Sequence, residues 1–213
     1  MAQIVPAILE KIKEGFLEKT ARVVKLPGLE RIQVDFGDGS FIENRLLDAS
    51  EMDTLNPAFT WEAHLMVKNP KDFLDYQICG FKTIIIHYEA YASKADLIRG
   101  LGEIKSMGFK VGVAVNPDTH VDVLNGIDAD QYLVMSVVPG KQGQGFIPET
   151  LDRITALRKL LPHAIIEVDG GVNETNIKSI KEAGADLICV GSALMKSADM
   201  GEAWGKLKQT INN

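Results

Sequence analysis

IIEVDGGVN, residues 165–173, is the stretch of sequence that decides the fold. Its apolar and β-branched start predicts a short buried strand, which continues into an acid and two glycines, and a helical pattern follows at once. A carboxylate at the carboxyl end of a buried strand lies beside backbone amides that only glycine leaves uncovered. That arrangement suits a proton-transfer group or a metal ligand next to an anion site. The alternative is an acid in a tight turn whose glycines serve geometry alone.

Composition restricts the class of protein. The chain has 213 residues, enough for one sizeable core or two small ones, with 46% hydrophobic and 24% charged residues as in soluble globular proteins. A net charge of −6 disfavours nucleic acid as a partner. Cys79 and Cys189 lack metal-ligand spacing and indicate reduced thiols in the cytoplasm. No apolar run reaches the roughly 20 residues of a membrane span, and residues 1–6 do not resemble a signal peptide.

Eight apolar segments alternate with helical segments or long loops along the whole chain. Strongly apolar strands that alternate with helices are typical of a parallel sheet covered on both faces. Eight such units in one chain predict an α/β fold, a single-domain (β/α)8 TIM barrel over residues 1–213, with a doubly wound open sheet as the alternative. No GxGxxG follows the first strand, which argues against dinucleotide binding. The predicted strands are 3–9, 31–36, 60–67, 81–87, 110–115, 131–137, 164–168 and 186–190.

Polar side chains and glycines gather where the predicted strands end, and in a barrel this end carries function. Glycine-rich turns follow strands six, seven and eight, which neighbour one another, so their backbone amides are expected to converge on a phosphate. Glycines that only tighten turns are the alternative. The polar residues at the strand ends are Gln33, Asp35, His64, His87, Asn116, Ser136 and Asp169.

Asp35 and Asp169 end strands on opposite sides of the predicted barrel, so their carboxylates can face each other over a substrate. One acid can remove a proton from a carbon while the other returns one to the opposite face. His64 points inward with them and makes a His/Asp/Asp metal site plausible, although a hydrogen-bonded core histidine is the plainer interpretation. His87 and Glu89 are interpreted as rim residues with a minor role.

At this point the sequence resembles the ribulose-phosphate 3-epimerase family, from Ile4 to about Leu194. No single motif carries the resemblance; its specificity comes from the order and spacing of short segments. These segments are VDFGDGSFIEN (34–44), HLMV (64–67), VAVNP (113–117), VMSV (134–137) with PG (139–140), FIPE (146–149), EVDGGVN (167–173), GAD (184–186) and GSA (191–193).

The resemblance implies a ribulose-phosphate-binding barrel that epimerises ribulose 5-phosphate and xylulose 5-phosphate at C3 through an enediolate, in the pentose phosphate pathway. It makes Asp35 and Asp169 the catalytic base and acid. It also makes them ligands, with His64 and possibly Gln33, of a divalent metal of the Zn, Fe, Mn or Co type. A cytoplasmic homo-oligomer is expected. The phosphate and substrate residues that the resemblance implies are Gly140, Lys141, Gln142, Gly143, Gly170, Gly171, Gly191, Ser192, Met66, Met135 and Ser136.

Departures from the family pattern cluster around the expected substrate. Gln33 stands where the family has histidine, Ala7 where it has a substrate-contacting serine, and Gly37 where it has methionine. Further departures are Val138 and the Lys141-Gln142 pair. An amide at position 33 should weaken binding of zinc-like metals and suits a harder ion or none. An epimerase for another ketose phosphate, a non-catalytic sugar-phosphate binder, and a decarboxylase or aldolase therefore remain alternatives.

Overall fold

Eight parallel strands form a closed barrel in the computed structural model, which describes residues 2–70, 74–141 and 143–212. Each strand pairs with its neighbour in sequence, and the first pairs with the last. The predicted (β/α)8 barrel is thereby confirmed. The strands are β1 (Gln3–Leu9), β2 (Arg31–Gly37), β3 (Thr60–Met66), β4 (Thr83–His87), β5 (Lys110–Val115), β6 (Gln131–Met135), β7 (Ile166–Asp169) and β8 (Leu187–Val190).

Helices surround the barrel, and their bounds follow local signals in the sequence. Ser93 caps α3, because its hydroxyl accepts a hydrogen bond from the Asp96 amide, and Gly184 ends α5 in the left-handed region at φ 115°. Among the described residues no helix has the length and hydrophobicity to cross a membrane. The helices are α1 (Lys13–Val23), α2 (Leu74–Cys79), α3 (Lys94–Ser106), α4 (Thr150–Leu160), α5 (Ile177–Ala183), α6 (Ser192–Met195) and α7 (Met200–Asn212).

Several element bounds differ from the sequence-based expectation. The helix expected from Pro148 begins at Thr150, and the helix expected over 173–183 begins at Ile177, because turns with their own hydrogen bonds precede both. The segment expected to be helical over 120–125 is a 3₁₀ turn, Val121–Leu124. Helix α6 was not predicted, since four residues are too few to show a helical period. The helix expected from residue 69 includes residues 71–73, which lie outside the described residues.

The main hydrophobic core lies between the barrel and the helices. Strand residues such as Ile84, Val113 and Ile188 are fully buried there because their side chains point outward under the helices. Alternate residues point into the barrel, where small apolar clusters form around Ile85 and Val5. The strand register sets neighbouring side chains at equal height, so that Asp35 pairs with His64.

The interior of the barrel below these clusters is polar. The guanidinium of Arg31 lies 2.6 Å from Glu62 Oε2, and Gln131 Nε2 donates to Glu167 Oε2 at 2.7 Å. Cys189 Sγ donates to the other oxygen of Glu167 at 3.0 Å. The positive charge of Arg31 lies beside two buried carboxyl groups, those of Glu62 and Glu167, and it only partly offsets their repulsion. Burial and the charge of Glu62 therefore raise the pKa of Glu167 well above its ordinary value.

Replacing Glu167 with glutamine should change how stability depends on pH. A carboxyl group whose pKa is higher in the folded than in the unfolded chain binds more protons when folded. Wild type should therefore lose unfolding free energy as the pH rises from 4.5, the ordinary pKa of a glutamate, toward the raised pKa of folded Glu167. The loss should be about 1.4 kcal/mol per pH unit between these two pKa values. Glu167→Gln removes this dependence, because its amide cannot ionise.

Chemical denaturation between pH 5 and pH 8 measures this effect. The Glu167→Gln variant should gain stability relative to wild type as pH rises, and the two should converge toward pH 5. Glu182→Gln, on the exposed face of α5, is the matched control and should keep the wild-type dependence. A stability difference between the two proteins that stays constant from pH 5 to pH 8 would contradict a raised pKa of Glu167.

Candidate active site

A cleft opens at the carboxyl ends of the strands, where functional residues were expected. It encloses about 500 Å³ including its open mouth. Its walls bring together most of the predicted site residues, although these come from both halves of the chain. The lining residues are Ala7, Leu9, Asp35, Met66, Met135, Val137, Pro139, Gly140, Lys141, Gly143, Gln144, Asp169, Gly170, Gly171, Val172, Gly191 and Ser192.

The floor of the cleft holds two carboxylates joined by one amide. Gln33 Nε2 donates a hydrogen bond to Asp35 Oδ1 and another to Asp169 Oδ2, each at 2.9 Å. Gln33 is fully buried, and Asp35 and Asp169 are 6% and 9% exposed, so both acids still reach the cleft. Cys189 Sγ lies 3.3 Å from Gln33 Oε1 on the other side of the amide. The structure therefore places the carboxylates of Asp35 and Asp169 together at the floor of the cleft, on either side of the Gln33 amide.

The charge of Asp35 affects how Asp169 ionises. Burial, followed by repulsion from Asp35, raises the pKa of Asp169 to about 6, while His64 and the Gln33 hydrogen bond oppose the rise. A carboxyl group with this pKa gains and loses a proton readily near neutral pH. The floor of the cleft therefore contains a group suited to general acid–base chemistry.

His64 lies beside the two acids. Its Nδ1 is 3.0 Å from Asp35 Oδ1 and 3.7 Å from Asp169 Oδ2. Burial by itself lowers the pKa of His64, but the hydrogen bond to Asp35 and the two negative charges outweigh burial and raise it. His64 Nε2 lies 2.9 Å from Nε2 of His87, which is also fully buried. Burial lowers the pKa of His87 to about 4, so this ring is neutral at neutral pH.

The donor set of the floor fits a divalent cation. Ligand atoms of Asp35, His64 and Asp169 all lie within 4.8 Å of one another. The 3.0 Å contact between Asp35 Oδ1 and His64 Nδ1 is short enough for both atoms to hold one ion. Gln33 turns its nitrogen toward the acids here, and its oxygen would face a cation after a flip of the amide.

Glycine turns form the opposite side of the cleft. Gly140, Gly170 and Gly171 have φ values of 104°, 120° and 64°, a region that favours glycine. A Cβ on Gly171 would lie 2.4 Å from the backbone nitrogen of Phe146. The turn after β7, which contains Gly171, therefore packs backbone against backbone on the loop after β6, which contains Phe146. Gly191 and Ser192 complete this side of the cleft. The turns after β6, β7 and β8 thus meet, as the sequence predicted.

Two loops meet over the mouth of the cleft. Asn44 Nδ2 donates to the carbonyl oxygen of Gly140 at 2.8 Å, and Lys141 Nζ lies 2.7 Å from Glu43 Oε2. A Cβ on Gly37 would lie 2.4 Å from Ile42 Cδ1 and 3.0 Å from the carbonyl oxygen of Asn44, so glycine lets this loop pack against the end of β2. The methionine expected at position 37 from the family pattern would not fit this arrangement.

Three of the predicted site residues within the described part of the chain, Gln33, His64 and Ser136, do not line the cleft. The Ser136 hydroxyl is buried and lies 2.9 Å and 2.6 Å from the carbonyl oxygens of Asp169 and Gly170, so it supports the turn after β7. Gln142 lies outside the described residues. His87 was interpreted as a rim residue, and this was wrong, because it is fully buried against His64. The inward alternation of Thr83, Ile85 and His87 along β4 would have revealed it.

Comparisons with known proteins identify relatives of similar length. The profile of the ribulose-phosphate 3 epimerase family matches residues 3–195. A ribulose-phosphate 3-epimerase from Synechocystis sp. is 36% identical over 196 residues, covering 88% of this chain and 85% of that protein. The cytoplasmic isoform of the enzyme from Oryza sativa is 32% identical over 218 residues, covering 99% and 94%. The enzyme from Aquifex aeolicus is 33% identical over 193 residues, covering 86% of each.

Solved structures with low sequence identity share the fold. A 3-hexulose-6-phosphate synthase from Salmonella typhimurium superposes with a TM-score of 0.73 at 19% identity, covering 99% of this chain and 98% of that one. An orotidine 5'-phosphate decarboxylase from Pyrococcus horikoshii gives a TM-score of 0.63 at 18% identity, covering 99% and 100%. These similarities support the barrel architecture alone.

Replacing Gly171 with alanine should damage the turns of the cleft. The new Cβ would meet the backbone of Phe146 at 2.4 Å, and alanine at φ 64° costs about 1–2 kcal/mol before any clash. We expect a loss of at least this much unfolding free energy, measured by chemical denaturation. Gly102→Ala, in α3 with nothing within 4 Å of the new Cβ, is the control and should gain about 0.5–1 kcal/mol. Equal stabilities would show that the turns do not need their close approach.

Proposed function

The chain belongs to the ribulose-phosphate 3-epimerase family, and we propose that it interconverts ribulose 5-phosphate and xylulose 5-phosphate by proton transfer at C3. The observation that carries the proposal is the pair of carboxylates of Asp35 and Asp169, held at one cleft floor by the Gln33 amide. The cleft is concave and opens between the glycine turns and the two acids, as a site for a small phosphorylated sugar requires.

In the proposed mechanism the two acids act in turn. One carboxylate removes the proton from C3, which leaves an enediolate, and the other acid returns a proton to the opposite face. The roles exchange when the reaction runs in reverse. The raised pKa of Asp169, about 6, supports this use, because the proton that it holds is readily transferred. Met66 and Met135 line the cleft and exclude water from the carbanion.

Phosphate binding is assigned to the glycine side of the cleft. Backbone amides of the turns at Gly140, Gly143, Gly170, Gly171, Gly191 and Ser192 would hold the phosphate, as backbone nests do elsewhere. Lys141 lines the same cleft and would add positive charge if it exchanged Glu43 for the phosphate. Because anchoring at one end orients C3 over the acids, the phosphate contributes to the rate as well as to affinity.

A divalent metal would be held by Asp35, His64 and Asp169, whose ligand atoms converge. Its chemistry would be to polarise the ketone oxygen and stabilise the negative charge of the enediolate. Gln33 would contribute an amide oxygen at best, which favours hard ions such as Mg²⁺ or Mn²⁺ over Zn²⁺. A cytoplasmic location, the absence of nucleic acid as a partner and a homo-oligomeric state remain predictions from the sequence.

Asparagine at either acid should strongly slow epimerisation. Incubation of wild type with ribulose 5-phosphate in D₂O and added Mn²⁺ should place deuterium at C3, detected by mass spectrometry. Asp35→Asn and Asp169→Asn should each slow the formation of xylulose 5-phosphate by about 10²–10⁴-fold, because epimerisation needs one group to remove the proton and the other to return one. Asp128→Asn, with the same charge change at a 96% exposed side chain, is the control. Unlabelled substrate with wild type would rule out the proposed reaction.

Restoring histidine at position 33 should strengthen zinc binding. A second imidazole would join Asp35, His64 and Asp169, a donor set closer to that preferred by Zn²⁺. We expect purified Gln33→His to retain close to one Zn²⁺ per chain and wild type to retain less, measured by elemental analysis. Gln77→His adds a histidine on the exposed surface of α2 and should resemble wild type. Equal zinc content in all three proteins would contradict the ligand role of position 33.

A further inference from the structure

One side chain in the loop after β2 connects two other parts of the molecule. Asn44 Nδ2 donates to the carbonyl oxygen of Gly140 at 2.8 Å, and Asn44 Oδ1 accepts from Lys11 Nζ at 2.8 Å. An ammonium group can only donate and a carbonyl oxygen can only accept, so the two partners determine which end of the amide faces which. Asn44 is therefore held as a hydrogen-bond donor to the turn after β6.

The loop that carries Asn44 is tied to the end of β2. The Leu46 N–H donates to the carbonyl oxygen of Gly37 at 2.9 Å, and Asp38 and Arg45 form an antiparallel bridge across the loop. Because the backbone is held on both sides of Asn44, its amide is presented to the turn after β6 from a fixed position.

The peptide group between Gly140 and Lys141 lies in the wall between two cavities. Both residues line the cleft, and both also line a second cavity next to it. Of the described residues in the loop after β2, those at positions 41–44 line the second cavity and none lines the cleft. The carbonyl of Gly140 accordingly points toward the second cavity, where Asn44 lies.

The geometry of the peptide group then decides where the next N–H points. A trans peptide directs its carbonyl and its N–H to opposite sides. The described residues contain no cis peptide bond, so the N–H of Lys141 points away from Asn44. Gly140 has a φ of 104° and no side chain, which leaves this peptide free to rotate unless a partner holds it. The hydrogen bond from Asn44 thus selects one of two orientations.

The same loop also holds the side chains of the turn. Lys141 Nζ lies 2.7 Å from Glu43 Oε2, and a Cβ on Gly140 would lie 2.8 Å from Ile42 Cβ. Residues 42–44 therefore all contact the turn from the side of the second cavity. With its ammonium group drawn to Glu43, Lys141 has its backbone N–H left to offer to the cleft.

We propose that Asn44 is a positioning residue, which holds the Gly140–Lys141 peptide so that the N–H of Lys141 faces the cleft as an anion donor. In the opposite orientation the carbonyl oxygen would face the cleft and repel a phosphate. Backbone N–H groups in such turns are common anion ligands. That the anion is the phosphate of a ketose phosphate rests on the proposed function, whereas the orientation of the peptide does not.

Asn44→Asp is the first variant, because it removes the donor and keeps the shape of the side chain. The new carboxylate repels the Gly140 carbonyl and attracts the N–H of Lys141, so the peptide should rotate. Asn56→Asp is the matched control with the same change of charge on an exposed loop. The side-chain oxygen of Asn56 accepts from the Ala58 N–H at 3.0 Å, and a carboxylate can accept in the same way.

Inorganic phosphate is the probe, and the backbone amide signals of the nitrogen-15-labelled protein are followed by NMR. In wild type and in the control, phosphate should shift the signals of Lys141 and of Ser192, which lines the same cleft. In Asn44→Asp the response of Lys141 should be lost and that of Ser192 kept, a difference that general damage to the fold would not produce. The half-saturating phosphate concentration should rise roughly 10–100-fold, as for one lost hydrogen bond to a charged group.

Asn44→Leu is the second variant, which removes the donor without adding a charge and covers the case in which Asn44→Asp does not fold. It should lose the Lys141 response as well. A Lys141 signal that ignores phosphate in wild type, or that still responds in Asn44→Leu, would overturn the proposal. The expected responses without deuterium at C3 of ribulose 5-phosphate would instead overturn the proposed function and leave the role of Asn44 standing.

Discussion

One buried amide holds together two acids that would otherwise repel each other. Gln33 donates to Asp35 and Asp169 at the same distance, 2.9 Å, from a fully buried position. Each of its two amide hydrogens therefore neutralises part of one carboxylate, where a low dielectric makes repulsion costly. The contact matters for the cleft because the acids come from strands two and seven, which are not neighbours in the barrel, and the amide bridges the gap between them.

The same constraint recurs through the interior of the barrel. Buried polar groups must find partners, and here they do so layer by layer, from Arg31 with Glu62 at the lower end to Glu89 at the rim. Cys189 connects the layers, since its thiol lies near both Glu167 and Gln33. Hydrogen bonds that run through the barrel leave each acid in a defined environment, so different neighbours raise the pKa of Glu167 in the lower layer and that of Asp169 at the cleft floor.

Preorganisation is the functional consequence. The acids, the imidazole of His64 and the glycine turns are set by strands and by backbone-to-backbone packing, so a substrate need not order them on binding. The departures from the family pattern are accommodated within this frame. Gly37 lets the loop of Ile42 pack against the end of β2, and Gln33 occupies the floor without a charge of its own. The paired acids that the family resemblance implies are thus present, with an amide between them where that resemblance implies a histidine.

The sequence by itself determined the eight-stranded barrel and the clustering of Asp35, His64 and Asp169, because alternation, glycine turns and strand ends are local patterns whose meaning follows from parallel-sheet geometry. Only the tertiary structure decided the partners. The burial of His87 and the hydrogen bonds of Gln33 depend on which side chains meet across the barrel, and such contacts join residues as far apart as 33 and 169. Sequence spacing carries no signal for those distances, since strand tilt and stagger set them after the barrel closes.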